Sequence, residues 1–201
     1  MNIKNLIPIM FLPLIIYFFS FSLLLYNLDF YDYLFQKNNI TLENREGITK
    51  DLFQYFQDND FSKPNFSYFK ENENKHLLDV KIVIINSLML LEIILLVFIL
   101  WIVFISDQRN KIFLYGSLLM ILINILFAVI PFDLLFDNFH FTLFTEGSWS
   151  FPQDYLLVNI YTQGFFYDFA LNIWMISTII SILVFVLSLL ASISFTTIKF
   201  K

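Results

Sequence analysis

The sequence predicts an all-α polytopic membrane protein, with four transmembrane helices and extracytoplasmic helical loops capping the bundle. Three observations carry this. Of the 201 residues, 58% are hydrophobic and the mean hydropathy is +0.71, above the roughly one-half apolar share of soluble domains. The apolar residues fall in blocks of about twenty, the length that crosses roughly 30 Å of hydrocarbon as a helix. Positive charge is divided unequally between the segments that separate those blocks. Residues 1–201 read as a single membrane domain.

The first span is residues 6–26, "LIPIMFLPLIIYFFSFSLLLY". Lys4 precedes it as in a secretory signal, but "SLLLYNLD" offers no small-residue cleavage site, so a retained span is expected. Pro8 falls near its first turn; Pro13 lies deeper, where neighbouring helices have to answer the carbonyl it leaves free. The second span, residues 82–105, carries Glu92 near its middle. A carboxyl at that depth is costly and asks for a function or a bonded neighbour such as Asn124 or Asn172. The third and fourth spans are residues 112–130 and 169–195.

Orientation follows from the charges. One side would carry Lys4, Arg109, Lys111, Lys199 and Lys201, with Asp107 as its only acid. On the other, residues 131–168 hold Asp133, Asp137, Glu146, Asp154 and Asp168 without a lysine or arginine, and residues 27–81 hold seven basic residues against ten acids. The positive-inside rule then places both termini in the cytoplasm and both long loops outside.

The outer segments are patterned. In residues 41–58, Ile48, Leu52, Phe53 and Phe56 recur at helical spacing opposite charged residues, which predicts an amphipathic helix. After a Lys-Pro-Asn turn at residues 63–65, "NENKHLLDVKIVI" predicts a helix entering the second span, capped by Asn72 or Asn74.

Composition excludes several chemistries. A net charge of −5 provides no basic stripe for nucleic acid. The absence of cysteine removes disulfides, thiolate nucleophiles and thiolate metal ligands. "GSWS" at residues 147–150 is not a nucleophile elbow. The two histidines, His76 and His140, both fall at headgroup level on the outer side. Asp79 shares a helix face with His76 and is expected to orient its ring. The structural alternative has both imidazoles bonded to local carbonyls. Two histidines with Asp79 or Asp154 would make three metal ligands, but no HExxH-like spacing is present and no metal is expected. Trp149 and the surrounding phenylalanines suit an interfacial belt, and Glu146 and Asp154 read equally well as solvated charges.

"KHLLDVK" (75–81) and "FHFTLFTEGSWSFPQDYLLVNIYTQGFFYDFA" (139–170) resemble the motifs of the bacterial lipoprotein intramolecular transacylase family, Lit, whose members have four spans. The resemblance implies an acyltransferase that moves the sn-2 acyl chain of a diacylglyceryl-cysteine to the α-amine of the same cysteine, giving a lyso-form lipoprotein. It implies His76, His140 and Asp79 as catalytic residues, and Phe144, Glu146, Trp149 and Asp154 as substrate-binding residues. The partners would be the diacylglyceryl-modified lipoprotein N-terminus and membrane lipid. No cofactor and no nucleic acid are implied, and the site would lie on the extracytoplasmic face of the cell membrane. Either histidine can be the base, the other acting as acid or oxyanion donor. A non-enzymatic lipid- or partner-binding module with structural histidines is the alternative. A solute transporter is disfavoured, because few polar residues fall within the spans.

Overall fold

A computed structural model describes residues 5–106, 108–145 and 147–199, with side chains to residue 193. Lys4, Asp107, Glu146 and Lys201, all named above, lie outside the described residues, as does the side chain of Lys199. The chain forms α1 (Leu6–Leu25), α2 (Leu28–Lys37), α3 (Arg45–Gln57), α4 (Glu71–Leu100), α5 (Arg109–Val129), α6 (Phe132–Leu143), α7 (Leu156–Ile160) and α8 (Gln163–Lys199). A π-helical turn, Trp101–Ile105, ends α4, with the Ser106 N–H donating to the Trp101 carbonyl at 3.0 Å.

Four helices are long and apolar enough to cross a membrane: Leu6–Leu25, Glu71–Ile105, Arg109–Val129 and Gln163–Ile193. Three begin earlier than their apolar blocks. Helix α4 starts at Glu71 because acidic residues in a first turn favour the positive end of the helix dipole. Its charged residues 71–81 precede the apolar stretch that spans.

The chain divides into two compact units, and α1, α4 and α8 supply residues to both. The first draws on residues 1–22, 88–130 and 172–201. Its core is Ile9, Leu12 and Ile16 of α1, Phe98 of α4, and Ile112 and Met120 of α5. Pro13 has no N–H for the Ile9 carbonyl, and α5 approaches that carbonyl at Gly116. A Cβ on Gly116 would lie 3.2 Å from the Ile9 oxygen and 2.8 Å from Leu12 Cδ2, so only glycine permits this approach.

A polar seam joins α5 to α8 inside this unit. Asn124 Nδ2 donates to Ser177 Oγ at 3.2 Å and to Thr178 Oγ1 at 2.8 Å, while Trp174 Nε1 donates to the Asn124 carbonyl at 2.9 Å. Asn124 was one of two neighbours expected to answer Glu92, but it faces α8. Glu92 is exposed on the surface of α4.

The second unit comprises residues 23–87 and 131–171. Its helix α2 is short, with Asn27 accepting the Phe30 N–H at its start and Lys37 in its last turn. Tyr31 and Phe35 of α2, Phe53 of α3, Tyr161, and Phe165 and Phe169 of α8 form an aromatic core. Ile48, Leu52 and Phe53 of α3 are buried as their spacing predicted.

Two buried charges are held by partners, as burial demands. The ammonium of Lys81 donates to the carbonyls of Tyr55 and Asp60, at 2.6 Å each, and lies 4.3 Å from the Tyr55 ring centroid. Asp168 accepts from Lys37 at 2.7 Å and Asn38 at 2.9 Å.

Candidate active site

All the site residues described below belong to the second unit. The start of α4 is organised by Glu73 rather than by Asn72 or Asn74. This glutamate is fully buried; Oε2 accepts the Lys70 N–H and Oε1 accepts the Leu157 N–H, at 2.7 Å each. The first bond is the reach-back half of a capping box. The second caps α7 and pins residues 155–157 to α4. Asn74 instead folds the preceding turn, bonding to both the N–H and the carbonyl of Phe66. Asn72 donates to the Tyr155 hydroxyl at 3.2 Å.

His76, one turn after Glu73, is 7% exposed. Its ring lies 4.7 Å from that of Phe144 and 5.5 Å from that of Phe151. Nδ1 is buried and has no hydrogen-bond partner. The bond expected from Asp79 is therefore not made at Nδ1: a spacing of three residues puts the two side chains on one face, but the ring turns away into the aromatic residues. Burial lowers the pKa of His76 to about 4, and the proximity of His140 pushes in the same direction. The ring is neutral at pH 7.

His140 lies on a helix, α6, where the sequence showed only an outer segment rich in phenylalanine. It is 9% exposed. Nδ1 lies 2.7 Å from the Phe136 carbonyl, one turn earlier. A carbonyl only accepts, so in the neutral ring Nδ1 carries the proton and Nε2 carries the lone pair. Burial lowers the pKa of His140; the Phe136 carbonyl and the charge of Asp137 act in the opposite direction.

Phe144 follows His140 by one helical turn and lies 5.5 Å from its ring. Since Phe144 also touches His76, the two imidazole centroids are no farther apart than those two separations end to end, about 10 Å. Trp149 lies 4.8 Å from His140 with the rings inclined at 33°. Gly147, at φ +79°, permits the turn that returns the chain over α6, and Ser148 closes it by donating to Thr145 through N–H and hydroxyl.

Asp154 is engaged by Lys70 at 2.7 Å, and this bond lowers its pKa. The same ammonium lies 3.7 Å from the Tyr155 ring. An exposed carboxylate expected to meet substrate is thus already paired with a lysine. A cavity of about 180 Å³ is lined by Asn72, Lys75, Thr145, Gly147 and Ser148. Among the described residues no three His, Asp or Glu side chains are grouped to hold a metal ion.

The two histidines, Phe144 and Trp149, all named from the sequence, come together here. Glu73 and Phe151 were not named as site residues. A glutamate three residues after a helix start was the available signal for the first; the second stands two residues after Trp149 in the quoted motif.

Four apolar helices, and two buried imidazoles packed against one phenylalanine ring, define an integral membrane protein with a histidine pair set among aromatic residues. The model of the family "Lipoprotein intramolecular transacylase Lit" matches residues 3–166. The chain belongs to this family and is an integral membrane acyltransferase acting on lipoproteins. The fold is also that of the membrane integral lipoprotein intramolecular transacylase Lit from Bacillus cereus, with TM-score 0.80 and 20% identity over 92% of each chain. A histidine-to-arginine variant of that protein matches at TM-score 0.78 and 19% identity, over 96% of this chain and 92% of that one. A histidine-to-alanine variant matches at TM-score 0.75 and 20% identity, over 92% and 90%. No match is found among curated protein sequences.

Proposed function

We propose that the enzyme moves the sn-2 acyl chain of a diacylglyceryl-modified N-terminal cysteine onto the α-amine of that cysteine, with His140 as the base. The observation that carries this is the bond from His140 Nδ1 to the Phe136 carbonyl, which leaves Nε2 as a lone-pair acceptor on a ring whose centroid is within about 10 Å of that of the second imidazole.

The neutral amine attacks the sn-2 ester carbonyl. His140 Nε2 takes the proton that the nitrogen sheds, the carbon–nitrogen bond forms, and the carbon–oxygen bond to glycerol breaks. His140 returns its proton to the departing glycerol oxygen, so the histidine ends as it began and no co-reactant is consumed. An α-amine has a pKa of roughly 8, so a fraction is neutral at pH 7. His76 is neutral too and serves as a hydrogen-bond donor to the oxygen that gains charge. Amine and ester belong to one molecule, so binding has only to bend that molecule into a reactive pose.

The apolar side chains that α6 exposes, Leu134, Phe139 and Phe141, suit the acyl chains and neighbouring membrane lipid. Lys70 holds Asp154 and Glu73 holds Leu157, which gives the 149–157 segment a fixed base. The charge asymmetry supports cytoplasmic termini and a site on the extracytoplasmic face.

The test is expression in a cell whose lipoproteins carry a diacylglyceryl cysteine with a free amine. Mass analysis of one lipoprotein's N-terminal peptide is expected to show one amide-linked and one ester-linked chain. An unchanged diacylglyceryl peptide with a free amine would overturn the proposal.

A further inference from the structure

The reaction proposed above builds negative charge on the ester oxygen, and a second unpaired donor lies beside the base. We propose that the indole N–H of Trp149 is a catalytic hydrogen-bond donor to the reacting carbonyl oxygen, completing with His76 a two-donor oxyanion site. This inference rests on the reaction assigned above and extends it to a residue with no acid–base chemistry of its own.

Three observations carry it. Trp149 packs against His140, the ring proposed to handle the proton, with centroids 4.8 Å apart and planes inclined at 33°, and Phe141 closes on the indole edge-on at 5.1 Å. Ser148, next to the indole, is fixed by its two bonds to the Thr145 carbonyl. Finally, Nε1 of Trp149 is buried and has no partner, and the same is true of His76 Nδ1. Both residues belong to one run of touching rings, His76–Phe144–His140–Trp149.

An indole N–H can only donate, and burying a donor without an acceptor is unfavourable. An unpaired group of this kind calls for an explanation, a catalytic role among them. A tryptophan serving only as packing or as an interfacial anchor would turn its N–H to water or to a backbone carbonyl. Here it faces neither, while lying against the base. An ester carbonyl entering beside His140 Nε2 supplies the missing acceptor. As the carbonyl becomes an oxyanion the bond strengthens, which makes it a transition-state contact rather than one shared equally with bound substrate.

The experiment uses the full chain in lipid vesicles with a synthetic diacylglyceryl-cysteine peptide, following the lyso-peptide by mass spectrometry. Trp149→Phe keeps a ring stacked on His140 and removes only the N–H. It is expected to lower kcat on the order of 100-fold while KM and the acid limb of the pH profile stay in place. A kcat within about threefold of the parent, or a loss confined to KM, would overturn the inference.

A second measurement stands even if that variant folds poorly. The chain has three tryptophans, Trp101, Trp149 and Trp174, so the Trp149 indole ¹⁵N–¹H resonance is assignable by elimination. A non-reacting analogue with an sn-2 amide, which keeps the carbonyl, is expected to shift this resonance downfield. An sn-2 ether analogue, which lacks the carbonyl, is expected not to. Equal shifts with both analogues would overturn the assignment. A fully active His140→Ala chain would remove the underlying reaction scheme; an inactive His140→Ala chain alongside a normal Trp149→Phe chain would remove only the role of the indole.

Discussion

His76 and His140, separated by 63 residues in the sequence, pack against one ring: that of Phe144, with centroids 4.7 Å and 5.5 Å away. Phe144 is buried and follows His140 by a single helical turn, so it carries the position of α6 to the start of α4. This makes the phenylalanine a positioning residue. Phe144→Ala is expected to cost about 3–5 kcal/mol of stability, as other buried Phe→Ala changes do. Phe144→Leu keeps most of the volume and should keep the fold while lowering kcat. Thermal unfolding in detergent and turnover of a diacylglyceryl peptide would check the pair.

The pH dependence follows from the two imidazoles. Burial holds His140 below its ordinary value, and the base works only when unprotonated. The acid limb of kcat/KM is therefore expected below pH 6.5, with activity rising as pH increases through it. A second rise is expected near pH 8, where the substrate amine loses its proton. His140→Ala should abolish activity at every pH, and a pH–rate series on the synthetic peptide measures both limbs.

Stability should fall on the acid side for the same reason. His76 is lowered to about 4 in the folded chain from an unfolded value near 6.5. Between those values the unfolded chain binds more protons, so stability is lost as pH drops from about 6.5 toward 4. A His76→Leu chain does not titrate there, and its apparent Tm should vary less over that window.

Glu73 offers a test of how the site is anchored. Both of its oxygens accept backbone N–H groups. Glu73→Gln forces an NH₂ group against one of those N–H groups and is expected to cost about 1–3 kcal/mol. Activity should fall as well, because Leu157 lies at the end of the segment that begins with Trp149. Comparing hydrogen exchange of residues 149–157 in parent and variant would show whether that segment has loosened.

Asn124 lies in the other unit and provides the contrast. Losing its bonds to Ser177 and Thr178 is expected to cost about 0.6–2 kcal/mol, as for other interhelical bonds in membranes. Asn124→Val should lower the unfolding temperature modestly and leave the kinetics of the synthetic peptide unchanged.

Much of this architecture was legible in the sequence because the membrane imposes a length. Blocks of about twenty apolar residues match the length that crosses the hydrocarbon, so four spans followed from counting. The buried face of α3 followed from the spacing of Ile48, Leu52 and Phe53. Helix α6 was not singled out, although Phe132, Phe136 and Phe139 recur at helical spacing. The extension of α4 ahead of its apolar stretch was legible in "NENKHLLDVKIVI", and only the capping residue, Glu73 rather than Asn72 or Asn74, was not. The histidines were found because there were only two. Their tautomers and contacts were not legible: Asp79 shares a face with His76, yet side-chain rotation decides whether the two bond. No property of the sequence shows that the Trp149 N–H lacks an acceptor.

In the proposed reaction His140 Nε2 moves the proton that lets an acyl chain pass from oxygen to nitrogen. The most direct measurement is the mass of a reporter lipoprotein's N-terminal peptide from cells expressing His140→Ala, with membrane insertion of the variant confirmed by its level in the membrane fraction. The expected peptide carries a diacylglyceryl cysteine with its α-amine unmodified. A reporter carrying the N-acyl lyso-form at the parental level would contradict it.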